Sequence, residues 1–307
     1  MPRTVVVLPV AGEVLPAAAL PALRAAERVY ADATVPEKVA IAAGAVAEAP
    51  AGADWVLLTA DLTQAPAADE VIGAPRGAAL LDAVAVMDRL RSPGGCPWDA
   101  EQTHQSLLPY LVEECYELYQ AIEDGDGAAT REELGDVLLQ VLFHARVAAE
   151  AEDTAGPFDI DDVATDLVTK LVGRHPHVFA GTERIDTAER QEHRWEELKR
   201  AEKQRDSSVD GVPLGQPAVA LAAKLISRAT RAGLPADLLP DGPGLGERLF
   251  TDAARAKLAG DDPEAALRTA ARRFADDVRA AERSARDAGL DPHTLDADAW
   301  RANWPAG

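Results

Sequence analysis

Through the middle of the chain, apolar residues recur at alternating steps of four and three. Leu108, Leu111, Cys115, Leu118 and Ile122 form one series, and Leu134, Val137, Leu138, Val141, Leu142 and Ala145 form another. Spacing near the 3.6-residue period predicts two amphipathic helices, each with one buried stripe. Asp124-Gly125-Asp126-Gly127 lies between them and reads as a helix stop followed by a turn. Two helices joined so briefly are expected to pack antiparallel, stripe against stripe.

The same periodicity predicts a helix from Leu80 to Arg91, with Leu81, Val84, Met87 and Leu90 inward. It predicts another over Asp159 to Arg174, with Ile160, Val163, Leu167 and Leu171 inward, and a charged one from Thr187 to Gln204. Ser92 to Asp99, rich in Gly and Pro, is a tight loop, and Thr103 or Ser106 is placed to cap the helix after it. Further helices are expected over Pro217 to Gly233, Leu245 to Leu258 and Pro263 to Ala288. The first residues differ. Thr4 to Leu8 and Trp55 to Leu58 are continuous apolar runs that read as strands, with a helix from Pro21 to Ala31 between them. The expected architecture is therefore mainly α: a small α/β unit over 1–77, a helical bundle over 78–205, and a helical region over 206–307 beyond a Ser/Asp/Gly/Pro linker.

Charge then narrows the partners. The chain has 52 acidic against 31 basic side chains, a net charge of −21. That field repels nucleic acid and anionic membranes, and an anionic small substrate would need a cation to enter it. No run is apolar and long enough to span a bilayer, and no leader-like segment opens the chain, so a soluble, cytoplasmic protein is expected. Of the two cysteines, Cys96 falls in a loop and Cys115 on the apolar stripe, where it is expected to be core.

The chemistry lies beside the stripes. Glu114 and Glu117 fall roughly 80° to 140° round the first helix from its stripe, and Glu133 and Asp136 roughly 100° to 160° round the second, in the same sense. Both pairs stand nine or ten residues from the turn, about 14 Å along each axis. The spacing predicts four carboxylates converging at one level from two helices. A solvated acidic face is the rival reading for either pair alone. Like charges so close cannot all stay ionised without a cation, and hard oxygen donors select Mg²⁺ or Mn²⁺. A di-iron centre would want Glu-x-x-His pairs, which these helices lack.

Lys170 and Arg174 stand four apart, forming one cationic ridge able to grip two phosphates. Trp195 is the one large apolar side chain on its charged helix, placed to cover a core edge or stack on a ligand. Trp98 is read as packing its loop onto the bundle, His104 as structural, and Trp300 and Trp304 as packing anchors. Around Gly244 to Leu249 there is an echo of Glu133 to Leu138, with Gly244 where a carboxylate would be needed.

GCPWDAEQTHQSL (95–107), LVEECYELYQAI (111–122), REELGDVLLQVLFHA (131–145), KLVGRHPHVF (170–179) and WEELKRAEK (195–203) together resemble the MazG family of nucleoside triphosphate pyrophosphohydrolases. The resemblance covers residues 79 to 205 and, faintly, a degenerate second repeat after 206. It implies an all-α catalytic unit that dimerises. It implies hydrolysis of NTPs and dNTPs between the α and β phosphates, giving NMP and pyrophosphate, in nucleotide-pool housecleaning. By position, Glu114, Glu117, Glu133 and Asp136 would be the Mg²⁺ ligands and Glu113 a supporting acid. Lys170 and Arg174 would hold phosphate oxygens, Trp195 would lie near the base or sugar, and Glu132 would border the nucleotide. The alternative function is a helical protein that senses nucleotide without hydrolysing it.

Overall fold

The structure, a computed structural model, describes residues 2–9, 14–48, 50, 52, 54–151, 156–181, 187–188, 190–191, 194–195, 206–240 and 242–305. The chain divides into two compact units, Met1–Arg184 and Ile185–Gly307.

The first unit opens with a four-stranded parallel sheet, β1 (Thr4–Val7), β2 (Arg28–Ala31), β3 (Trp55–Thr59) and β4 (Glu70–Ile72), in the order β2-β3-β1-β4. Val5 pairs with Leu57 and Val71, which puts β1 between β3 and β4. The continuous apolar runs of β1 and β3 follow from burial of both faces. One face packs Val6, Val56 and Leu58 against Ala22 of α1 (Leu20–Ala25) and Val39 of α2 (Glu37–Ala42); the other buries Val5, Tyr30, Trp55 and Leu57. The helix expected over Pro21 to Ala31 stops early. Ala26 turns to extended backbone, and Arg28–Ala31 becomes β2, captured by backbone pairing to β3. That pairing is non-local and leaves no trace in the periodicity.

The helical part contains α3 (Ala78–Arg91), α4 (Pro97–Glu101), α5 (His104–Asp124), α6 (Gly127–Ala149), α7 (Ile160–Arg174) and α8 (Pro176–Phe179). Thr103 and Ser106 cap α5 reciprocally: each side chain bonds the other's backbone N–H. Gly125 ends α5 at φ +68, a left-handed conformation glycine adopts without strain. Asp126 then caps α6 by accepting from the N–H groups of Ala128 and Ala129. This turn lays α5 and α6 side by side and antiparallel, and α3 packs on α6 around Met87, Leu107, Leu142 and Phe143.

The helices stand where the periodicity puts them, but α5 is rotated. Leu107 and Ala121 are buried and Leu111, Glu114 and Leu118 half-buried, whereas Leu108, Cys115 and Ile122 are exposed. The seam keeps Leu111 and Leu118 but is turned by about 60° from the expected stripe, and Cys115 is not core. On α6 the expectation holds for Leu142 and Ala145, which are buried, and fails for Leu134 and Val141, which are exposed. Leu81 of α3 and Leu167 and Leu171 of α7 are exposed as well. The sequence carries two apolar faces on α5, and periodicity does not say which one α6 covers.

A network fastens the loop ahead of α5. Arg91, whose side chain is 4% exposed, bonds both carboxylate oxygens of Glu150 and donates to the carbonyls of Asp99 and Gln102. Arg146 bridges Glu150 and Asp88. Within the loop, a Cβ on Gly95 would run into the carbonyls of Arg89 and Leu90, so only glycine fits. Trp98 meets Tyr110 and Phe143 edge-on, at 6.0 and 6.4 Å between ring centroids, which is the packing role expected of it.

The second unit holds α9 (Ala218–Arg231), α10 (Leu245–Ala259), α11 (Pro263–Asp287) and α12 (Ala297–Asn303). Small residues close its interior: Ala222, Ala223, Ala253, Ala254, Ala281 and Ala285 are buried with Ile226. Trp300 and Trp304 pack on each other, and Trp304 on Phe274, as anchors of the C-terminal turn.

Candidate active site

Two helices bring the carboxylates together. Oxygens of Glu114 and Glu117 on α5 and Glu133 on α6 all lie within 4.8 Å of one another. Equal distances from the turn set their common level. The rotation of α5 sets their direction, so that Glu114 enters the interhelical seam instead of flanking it. Asp136 stands outside this trio, one turn along α6 from Glu133, and its charge acts on both Glu114 and Glu133.

The electrostatics follow from the crowding. The Glu114 carboxyl is pushed above its ordinary range, first by desolvation, then by the charges of Asp136, Glu117, Glu113 and Glu133. Glu133 is pushed up as well, by desolvation and then by Glu117, Asp136 and Glu132. Every charge acting on these two groups is itself a carboxylate, so the cluster repels itself. An all-oxygen, mutually repelling donor set fits a hard divalent cation and no soft one.

The other expected site residues are spread more widely. Glu113 and Glu132 are exposed, each next to a clustered carboxylate. Lys170 is exposed on α7 and Arg174, the last residue of that helix, is 7% exposed, so Arg174 is no surface charge. Neither is among the charges acting on Glu114 or Glu133. Trp195 is half-buried in a helical stretch of the second unit, and most of the helix expected over Thr187 to Gln204 lies outside the described residues. Gly244 caps α10 where the echo would need a carboxylate, and among the described residues of the second unit no cluster like that of α5 and α6 occurs.

Residues 102–179 match the model of the MazG nucleotide pyrophosphohydrolase domain, and residues 3–80 that of the MazG N-terminal domain. Over 207 residues the chain is 56% identical to an uncharacterised 26.1 kDa protein of Streptomyces cacaoi, covering 67% of this chain and 84% of that protein. It is 48% identical to a nucleoside triphosphate pyrophosphohydrolase of Mycolicibacterium smegmatis, over 78% of this chain and 74% of the relative. The chain belongs to the MazG family. A third relative, the nucleoside triphosphate pyrophosphohydrolase of Mycobacterium tuberculosis, is 45% identical over 81% of this chain and 78% of its own length.

The MazG match spans α5, α6, α7 and α8 and so contains the carboxylate trio, Asp136, Lys170 and Arg174, while Trp195 falls beyond it. The sheet lies within the segment that matches the MazG N-terminal domain. Two polar residues within the 102–179 match carry no role in the sequence pattern. Gln140 is 4% exposed and His144 half-buried, on the seam face of α6 one and two turns beyond Asp136. The signal was present: two polar residues four apart inside the apolar run from Val137 to Ala145.

Proposed function

We propose that this enzyme hydrolyses nucleoside and deoxynucleoside triphosphates to the monophosphate and pyrophosphate, with Mg²⁺, or Mn²⁺ in its place, held by the carboxylates of α5 and α6. The observation that carries this is the convergence of Glu114, Glu117 and Glu133 within 4.8 Å, with no basic side chain among the charges acting on Glu114 or Glu133. Membership of the MazG family supports the reaction. Glu114, Glu117, Glu133 and Asp136 are the ligands. Such a cation, when bound, neutralises the triphosphate and acidifies a water molecule. Glu113, or Glu114 where it is not a ligand, takes the proton of the attacking water. Lys170 and Arg174 hold the leaving pyrophosphate, Glu132 borders the nucleotide, and Trp195 lies against base or sugar. The catalytic segment is 78–205, flanked by the α/β unit (1–77) and the degenerate repeat (206–307). The net charge of −21 disfavours nucleic-acid partners. Among the described residues no helix is long and apolar enough to cross a membrane. We place the enzyme in the cytoplasm as a nucleotide-pool housecleaner.

The test is a panel of NTPs and dNTPs with separate pyrophosphate and orthophosphate readouts. Pyrophosphate should appear with Mg²⁺ or Mn²⁺, and EDTA should abolish it. Orthophosphate as the sole product, or turnover that survives EDTA, would overturn the reading.

A second copy completes the unit. Leu108, Val112, Cys115, Tyr119 and Ile122 form an exposed stripe along one face of α5, and Ile122 is 59% exposed. A continuous apolar strip of this kind suits an interface, and the family resemblance supports another copy of the chain as its occupant. Sedimentation should give twice the chain mass, and Ile122→Glu should halve it while leaving the helical content unchanged. A monomeric wild-type chain would refute the dimer.

A further inference from the structure

His104 is the first residue of α5 and His144 lies in the last third of α6. Their Nδ1 atoms are 2.7 Å apart, with the rings within 7° of parallel and 5.0 Å between centroids. Such a distance requires one shared proton: one Nδ1–H donates and the other Nδ1 accepts. The Nε2 atom of His144 is buried and has no partner. His104 stands ten residues from Glu114 and His144 eleven from Glu133, about 15 Å along each helix. Pro109 interrupts the hydrogen-bond ladder of α5 between His104 and Glu114, so the first turn of α5 depends on its contacts with α6.

We propose that His104 and His144 are positioning residues for the carboxylate site, a one-proton latch that holds α5 in register on α6 and opens when both rings are charged. With one ring charged the bond survives, as imidazolium donating to imidazole. With both charged, each Nδ1 carries a hydrogen, neither accepts, and two like charges face each other. Among the described residues, no carboxylate is among the charges acting on His144. The charge acting on His144 is that of His104, while Asp88 and Arg91 of α3 and Arg146 and Glu150 of α6 bond within their own network. Asp99 and Glu101 of α4 and Asp161 and Asp162 at the start of α7 are not among the charges acting on it. Desolvation and then His104 hold the His144 pKa below the usual histidine value. The latch is therefore closed at neutral pH, and its contribution to stability is lost as pH falls below the unfolded histidine range.

The latch rests on the proposed metal site only for its effect on activity, so amide hydrogen exchange is read as well. In the wild type, protection of residues 104–111 should fall about tenfold between pH 7.5 and 5.5. His104→Asn keeps a partner at the Nδ1 position and cannot charge, so it should retain protection at both pH values and a wild-type Mg²⁺ requirement at pH 7.5. His104→Ala should lose protection at both pH values and need about tenfold more Mg²⁺ for half-maximal rate. Equal behaviour of the Asn and Ala variants, or protection independent of pH in the wild type, would overturn the latch. If exchange behaves as expected but the Mg²⁺ requirement of His104→Ala is unchanged, the latch exists without a positioning role and the proposal fails there. Loss of Mg²⁺ binding in Glu117→Gln, followed by calorimetry, tests the metal site separately.

Discussion

Glu117→Ala should remain folded and release pyrophosphate about 10³-fold more slowly than the wild type, a loss of about 4 kcal/mol of transition-state stabilisation. Glu117 is exposed on α5, so its removal opens no cavity, and its oxygens belong to the cluster within 4.8 Å. Asp136→Ala should behave alike, because its charge bears on both Glu114 and Glu133. Turnover close to wild type in either variant would remove these residues from the site.

The same cluster makes a linked prediction about stability. Glu114 and Glu133 have raised pKa values, so the metal-free folded chain binds protons there more tightly than the unfolded chain. Their contribution is favourable at low pH and is lost as pH rises through the folded values. At neutral pH the metal-free chain carries the repulsion. Glu133→Gln should therefore raise the melting temperature without metal while abolishing activity. Mg²⁺ at a hundred times its dissociation constant should stabilise the wild type by about 2.7 kcal/mol, or about 5–10 °C for a unit of this size. A Mg²⁺ shift as large in Glu133→Gln as in the wild type would contradict the assignment.

The second large effect concerns folding. Glu150→Ala should destabilise the chain by about 3 kcal/mol or more, and Arg91→Met by less. The asymmetry comes from burial. The Arg91 side chain is 4% exposed, so removing Glu150 strands a guanidinium away from water. Glu150 is 39% exposed and keeps Arg146, so removing Arg91 leaves a carboxylate that water can reach. Arg91 lowers the Glu150 pKa by hydrogen bonding and then by charge, with Arg146 adding to it. The stability from this pair is present above the unfolded carboxylate range and lost as pH falls through the folded value. Urea unfolding of the two single variants and the double one gives the coupling directly. Arg91→Met costing more than Glu150→Ala would show that the carbonyls of Asp99 and Gln102, and not the ion pair, make Arg91 indispensable.

Much of this was legible in the chain itself. The helices α5 and α6, the turn with Gly125 and Asp126, and the Thr103–Ser106 cap are local features, written in residues that touch within a few positions of one another. The level of the acids could be read because helical rise is constant and both pairs are equally distant from the turn. The strand β2 could not be read, since Arg28 to Ala31 is extended only because β3 pairs with it.

The face of α5 was likewise undetermined. Leu108, Cys115 and Ile122 fit the period as well as Leu107, Leu111, Leu118 and Ala121, and hydrophobicity alone gives no sign of which stripe meets α6 and which stays exposed. The sequence by itself determined the α5–α6 hairpin, the Thr103–Ser106 cap, the acid pairs and the family. Tertiary packing decided that Glu114 points into the seam, that Cys115 faces outward, and that His104 meets His144. These depend on how one helix is rotated on another, which side chains far apart in sequence settle together through packing and charge.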